Sequence, residues 1–173
     1  MPGKNKKKAS RRAPTESFSA SSKTLILQPL FRAELTLAAA QELGETPHGR
    51  RRIIGITGGR FAGERLSGRV LPGGADWQVI RADGVADLDA RYTLETADGA
   101  LIYVRNRGYR HGPAEIIQRL SSGETVDPSL YYMRTTPRFE TGDARYAWLN
   151  RLVCVASGAR RPASVELDVF EIK

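Results

Sequence analysis

From residue 24 onward, short runs of the chain alternate apolar and polar side chains with period two, and a glycine or a turn dipeptide ends nearly every run. In "LFRAELTLA", Phe31, Ala33, Leu35 and Leu37 fall on one side and Arg32, Glu34 and Thr36 on the other. Successive side chains of an extended strand point to opposite faces, so this spacing predicts a strand with one face buried and the other wet. The pattern returns in "DWQVIR", "ADLDARYTLET", "ALIYVRNRGYR", "YYMRTTPRFET", "RYAWLNRLVCVA" and "SVELDVFEI". Asp98-Gly99 within "TADGAL" signals a tight hairpin, and the glycines of "RRRIIGITGGRFAGERLSGRVL" mark bends or bulges in extended chain. Only "PAEIIQRLSSG" reads as a helical turn or two, with Gly123 as its stop; "LAAAQELGE" suits either a short helix or a fraying strand. About nine strands at hairpin-scale spacing predict an all-β domain, either a closed antiparallel barrel or a sandwich. A barrel of eight to ten strands holds side chains or one small ligand.

A formal charge of +8 suggests a nucleic-acid partner only if the charge is carried by the folded part. It is not. Residues 1–23 hold seven basic side chains and one acidic one, Glu16, leaving 20 basic against 18 acidic in the remainder. This segment has no apolar periodicity and cannot bury enough surface to offset the entropy of ordering it. The sequence therefore divides into a disordered basic tail, 1–23, and a barrel domain, 24–173. The tail is read either as a solvated extension or as an arm for nucleic acid or an anionic surface. It lacks the apolar run of a secretory signal, and no stretch approaches the length of a membrane span. A single cysteine, Cys154 in "LVCVA", excludes a disulfide framework and predicts a reducing compartment, the cytoplasm; it is expected in the core. His48 and His111 stand apart, so no metal-ligand spacing is present, and neither a metal nor a cofactor is expected.

Two stretches are equipped for chemistry. In residues 85–95, Val85, Asp87, Asp89, Arg91, Thr93 and Glu95 share one face of a strand, and Ala86, Leu88, Ala90, Tyr92 and Leu94 share the other. The polar face either meets water, where Asp and Arg simply pair, or lines a site. The second stretch, residues 129–151, mixes Tyr131, Tyr132 and Phe139 with Arg134 and Glu140, and places Tyr146, Trp148 and Asn150 along what is read as the next strand. Aromatics interleaved with a few hydrogen-bonding groups suit an apolar pocket or a core whose polar ends are satisfied. "GITGGRFAGERLSG" lacks the Gly-Lys-Ser/Thr ending of a phosphate loop, and no Gly-x-Ser-x-Gly elbow occurs. Catalysis would rest on carboxylates, tyrosines and arginines, which perform proton transfer and electrostatic stabilisation.

"GRRRIIGITGGRFAG", "GRVLPGGADWQVIRADG", "DARYTLETADGALIYVRNRG", "DPSLYYMRTTPRFETG" and "RYAWLNRLVCVASG" together resemble the domain of unknown function 3237, also called uncharacterised protein family 0311. The resemblance spans roughly residues 29–172 and implies a compact antiparallel barrel of lipocalin-like or streptavidin-like form. By analogy of fold, such barrels bind small molecules in the lumen, and some act as cyclases or isomerases. The chemically equipped positions of those segments are Asp76, Trp77, Asp89, Arg91, Tyr103, Arg134, Glu140, Trp148 and Asn150. On this reading Asp76 or Asp89 is a general base, Arg91 and Arg134 hold an anionic oxygen, and Trp77, Tyr103 and Trp148 wall the site. The expected function is a small-molecule pocket with acid/base chemistry of the isomerase, cyclase or lyase type. A ligand carrier without chemistry and a homodimeric assembly element are the alternatives.

Overall fold

A computed structural model of the chain describes residues 24–173. Strands β1 (Leu27–Thr46), β2 (Gly49–Ala62), β3 (Ser67–Val70), β4 (Gly74–Ile80), β5 (Ala86–Thr96) and β6 (Leu101–His111) are followed by helix α1 (Ala114–Ser121). Then come β7 (Tyr132–Glu140), a 3₁₀ segment (Ala144–Arg151), β8 (Cys154–Arg160) and β9 (Ser164–Ile172). Every pairing is antiparallel, and β1 pairs with both β9 and β2, so the sheet closes on itself. Strands β3 and β4 lie end to end between β2 and β5, each pairing with one half of both neighbours, and share one position in the ring. The expected barrel is what forms, and the sandwich is not. The tail expected in residues 1–23 lies outside the described residues.

Alternation holds strand by strand. Along β7, Met133, Thr135, Pro137 and Phe139 are buried while Tyr132, Arg134, Thr136, Arg138 and Glu140 are exposed. Along β5 the inward face is Ala86, Leu88, Ala90, Tyr92 and Leu94, and the charged face points outward. The hairpin between β5 and β6 turns at Gly99, whose φ of +85° is the left-handed conformation that Asp-Gly turns need. Helix α1 ends where expected, with Gly123 at φ +84°. "LAAAQELGE" is strand, continuing β1 as an exposed hairpin with β2 beyond the part that pairs with β9.

One expectation fails. Residues 144–151 form a 3₁₀ segment and not the start of a strand, so Tyr146, Trp148 and Asn150 do not share a face. The Asp143 carboxylate accepts the Arg145 N–H at 3.0 Å, which caps the segment and diverts it from extended chain. The segment delivers Leu149, fully buried, into one end of the barrel. There it packs with Leu94, Ile102, Val104, Phe31, Phe61 and Phe139, the last three meeting edge to face at 5.4 and 5.8 Å. Cys154 is part of this floor, and burial pushes its thiol up to about 11. At the other end Ile116 and Leu120 of α1 pack on Ala86, Leu88, Tyr131 and Met133. Between β7 and β8 the ring is held by two residue pairs alone, Arg134 with Ser157 and Thr135 with Ala156.

Candidate functional site

Between the aromatic floor and the helix, inward-facing polar residues replace apolar ones. On β2 the inward phase of Ile56 and Ile54 continues to Arg52, and the register sets Ile54 against Asp76 and Arg52 against Gln78 of β4. The Arg52 Nε donates to Gln78 Oε1 at 2.9 Å, and Gln78 Nε2 donates to Asp76 Oδ2 at 2.6 Å. The β4–β5 ladder runs through Asp76 with Ala90 and resumes at Val79 with Asp87, skipping the residues between. In that gap Asp76 Oδ1 accepts the Asp89 backbone N–H at 3.0 Å. The carboxylate is therefore fixed by two donors and half-buried. Burial lifts its pKa above the ordinary carboxylate range, outweighing the opposing pull of the Gln78 amide, the Asp89 N–H, Arg110 and Arg52.

On β6 the phase of Ile102 and Val104 carries Asn106 and Arg110 inward, and both are buried. Gly108 stands between them because a Cβ there would lie 2.0 Å from the Arg134 carbonyl oxygen of β7. Thr135 enters from β7 opposite Gly108. Among the described residues, the Arg110 Nε, the Asn106 Oδ1 and the Thr135 Oγ1 are buried without a hydrogen-bond partner. Native interiors leave few such atoms, since each one costs ~1–3 kcal/mol. Burial, with Arg52 and Arg160 nearby, brings the Arg110 guanidinium down to about 10. Arg160 of β8 turns its Nη1 to the Ser164 carbonyl at 2.9 Å and is itself lowered by burial and by Arg52.

These groups face a cavity of about 50 Å³ walled by apolar residues that include Leu35, Ile56, Leu88, Tyr92 and Leu167. Burial raises the Tyr92 hydroxyl well above its ordinary value. Leu37, Ile54, Arg110 and Arg160 line this cavity and also a mouth of about 330 Å³ beside Leu120 and Ser121 of α1. The inner cavity alone is of water size, and an organic ligand needs it together with the mouth, with which it shares Arg110 and Arg160; a few convergent polar groups and shifted ionisations on apolar walls are what small-molecule sites show.

The residues singled out from the sequence are placed in several surroundings. Asp76 alone is lumenal. Trp77, Asp89 and Arg134 line a groove of about 680 Å³ on the outer wall. There Arg107 and Arg91 donate to Asp89 at 2.9 and 3.2 Å, Arg105 stands at 3.7 Å, and the Asp89 carboxyl is held down at about 2, chiefly by Arg107. The Arg91 guanidinium lies 5.7 Å from the Trp77 ring centre. Tyr103, Glu140 and Asn150 meet in a second outer groove, about 970 Å³, where β7 and β8 diverge. Asn150 is engaged with the Thr141 backbone through both ends of its amide at 2.9 Å. Trp148 packs against the floor beneath Arg65, 4.1 Å from the ring centre. Sequence reasoning missed Arg52, Gln78, Asn106, Arg110, Thr135 and Arg160. Their signal was phase: each occupies the inward register of its strand, where most other strands of the barrel carry apolar or small residues.

Among the described residues no cluster of three or more His, Cys, Asp or Glu is placed to hold a metal, and no helix is long and apolar enough to cross a membrane. A closed antiparallel β-barrel with a packed floor and a polar cavity in its lumen is the class of protein that these features define. Residues 25–172 match the family described as Protein of unknown function (DUF3237), and the chain belongs to that family. It is similar to a UPF0311 protein of Bradyrhizobium diazoefficiens, 48% identical over 149 residues that cover 86% of this chain and 97% of that one. The crystal structure of a conserved protein of unknown function from Rhodopseudomonas palustris, 43% identical, superposes with a TM-score of 0.83 over 88% of this chain and 99% of the other. A more distant relative is an enzyme, the hydroalkoxylation enzyme phnH of Penicillium herquei, 29% identical over 126 residues, or 73% of this chain and 69% of that one.

Proposed function

We propose that the lumen binds a small organic molecule and that Asp76 exchanges a proton with it. The observation that carries this reading is the convergence of a half-buried, hydrogen-bonded carboxylate with three buried, unpartnered polar atoms on one apolar cavity. A carboxylate whose pKa is raised by burial is a stronger base when ionised and a usable acid when protonated, and the Gln78 bond holds it in one orientation. The enzyme among the relatives supports this chemistry. Hydroalkoxylation adds an O–H across a carbon–carbon double bond: a base takes the hydroxyl proton, the C–O bond forms, and a proton is returned to carbon. The reaction consumes no oxidant or reductant, so one poised carboxylate and a cationic partner suffice in kind.

Deuterium exchange tests the reading without knowledge of the natural substrate. A panel of enolisable ketones and hydroxylated enones is incubated with the protein in heavy water, and carbon-bound deuterium is read by mass spectrometry. Uptake that the wild type accelerates and D76N does not is the expected result. Uptake equal in D76N would remove Asp76 from the chemistry, and a compound that binds without exchange in any case tried would make the lumen a carrier site.

A further inference from the structure

The inward charges of the barrel do not balance. Arg110 and Arg160 line the cavity, Arg52 lies beside them at the mouth, and Asp76 is the acidic residue that faces them within the lumen. Glu42, half-exposed on the long hairpin, comes within 3.7 Å of Arg52. Arg52 is further occupied by Gln78, and Arg160 by the Ser164 carbonyl. Arg110 is different: it is 5% exposed, its neighbours Arg52 and Arg160 repel it, and its Nε–H lacks an acceptor among the described residues. A buried guanidinium held among like charges needs an anion, and a planar oxyanion is the acceptor its geometry fits.

The other unpartnered atoms set what stands behind that anion. Asn106 is four residues from Arg110 on the same strand, which at a rise of about 3.3 Å per residue is ~13 Å along the lumen. Thr135 lies between them, opposite Gly108. The Asn106 Oδ1 can only accept, and the Thr135 hydroxyl can give or take a hydrogen bond. Between them the walls are apolar. We infer that the lumenal ligand is an apolar hydroxy acid, its carboxylate or equivalent oxyanion on Arg110 near the mouth and its hydroxyl donating inward toward Asn106. This rests on the lumenal site proposed above and adds the charge, polarity and direction of the molecule that fills it. By register Asp76 is level with Ala90 and, through it, with Asn106, so the proposed base stands toward the hydroxyl end of the ligand while Arg110 still acts on its charge.

The test uses 4-hydroxybenzoate and its neutral counterpart 4-hydroxybenzamide, with the full chain, and follows the melting temperature across ligand concentration. The acid raises the melting temperature and the amide does not. R110Q weakens the acid at least tenfold, R107Q on the outer wall leaves it unchanged, and N106L weakens it while leaving benzoate unaffected. D76N, which removes the opposing lumenal charge, binds the acid at least as tightly as the wild type. That last result separates the two readings, because D76N is the variant expected to lose proton exchange. Stabilisation by the amide equal to that by the acid, persistence of the acid's effect in R110Q, or no effect of the acid up to 10 mM in a wild type that still exchanges deuterium would each overturn the inference and leave the proton-transfer reading standing.

Discussion

Replacing Arg110 by methionine is expected to make the protein more stable. The guanidinium is held at about 10 against an ordinary 12.5, with burial as the main cause. Keeping it charged in the fold therefore costs roughly 3 kcal/mol at neutral pH. The sign follows from the direction: a cation whose folded pKa lies below its unfolded one destabilises the fold throughout the range below about 10, and the cost disappears only as both states lose the proton. Methionine keeps most of the unbranched stem against Leu37 and Ile54 and removes the orphaned Nε. Against this, Asp76 loses a favourable neighbour. A net gain of about 2 kcal/mol, or ~4–8 °C in melting temperature for a domain of this size, is the expected result. Urea unfolding at pH 7 reads it as a higher midpoint at unchanged m-value. A midpoint that falls would show that Arg110 holds the barrel together, and the argument that it waits for a ligand would be wrong.

Three further outcomes follow from the geometry. The Asp89 carboxyl sits at about 2 in the fold and near 3.9 when unfolded, so its stabilising contribution is complete above pH 4 and vanishes as pH falls through 2. The difference in urea midpoint between wild type and D89N accordingly shrinks across that window, and a difference independent of pH contradicts the ion-pair account. G108A places a methyl group 2.0 Å from the Arg134 carbonyl oxygen and 2.6 Å from the Thr135 Cα. Backbone cannot yield as a side-chain end does, so a loss of ~1–3 kcal/mol in chemical denaturation is expected, and a neutral result refutes the close approach. Cys154, buried with its thiol raised to about 11, stays unreactive to a thiol reagent at pH 8 in the native state and reacts fully in denaturant.

The period-two pattern carried most of the architecture. In β5 it assigned the inner and outer faces residue by residue, and in "TADGAL" the turn dipeptide marked where β5 gives way to β6. What it did not carry was the lumen. The attention drawn by Asp87, Asp89 and Arg91 came from charges in line, and such a line is what an outer wall shows. The informative residues are the solitary ones. In "LIYVRNRGYRH" the inward phase is set by Ile102 and Val104 and lands on Asn106, Gly108 and Arg110, a polar break in an apolar series. Asp76 was in view and its partner Gln78 lies two residues on along the same strand, but Arg52 reaches Gln78 only through the β2–β4 register, which joins residues 26 positions apart. Residues 144–151 escaped because a 3₁₀ segment capped by a short side chain leaves no period-two signature to contradict.

The narrow join between β7 and β8 bears on how the barrel moves. Nine residue pairs connect β6 to β7 and seven connect β8 to β9, whereas two connect β7 to β8. Parting a ladder requires breaking its hydrogen bonds, so the least expensive departure from the closed ring is a slit along this line, with the rest of the sheet intact. Amides flanking Thr135 and Ala156 should therefore exchange with solvent ahead of those in β5, β6 and β9. Thr135, one of the three unpartnered groups that line the lumen, stands on that line. On this side the chamber is accordingly separated from bulk water by the thinnest stretch of its wall, whereas beside α1 it adjoins a hollow with which it shares Arg110 and Arg160.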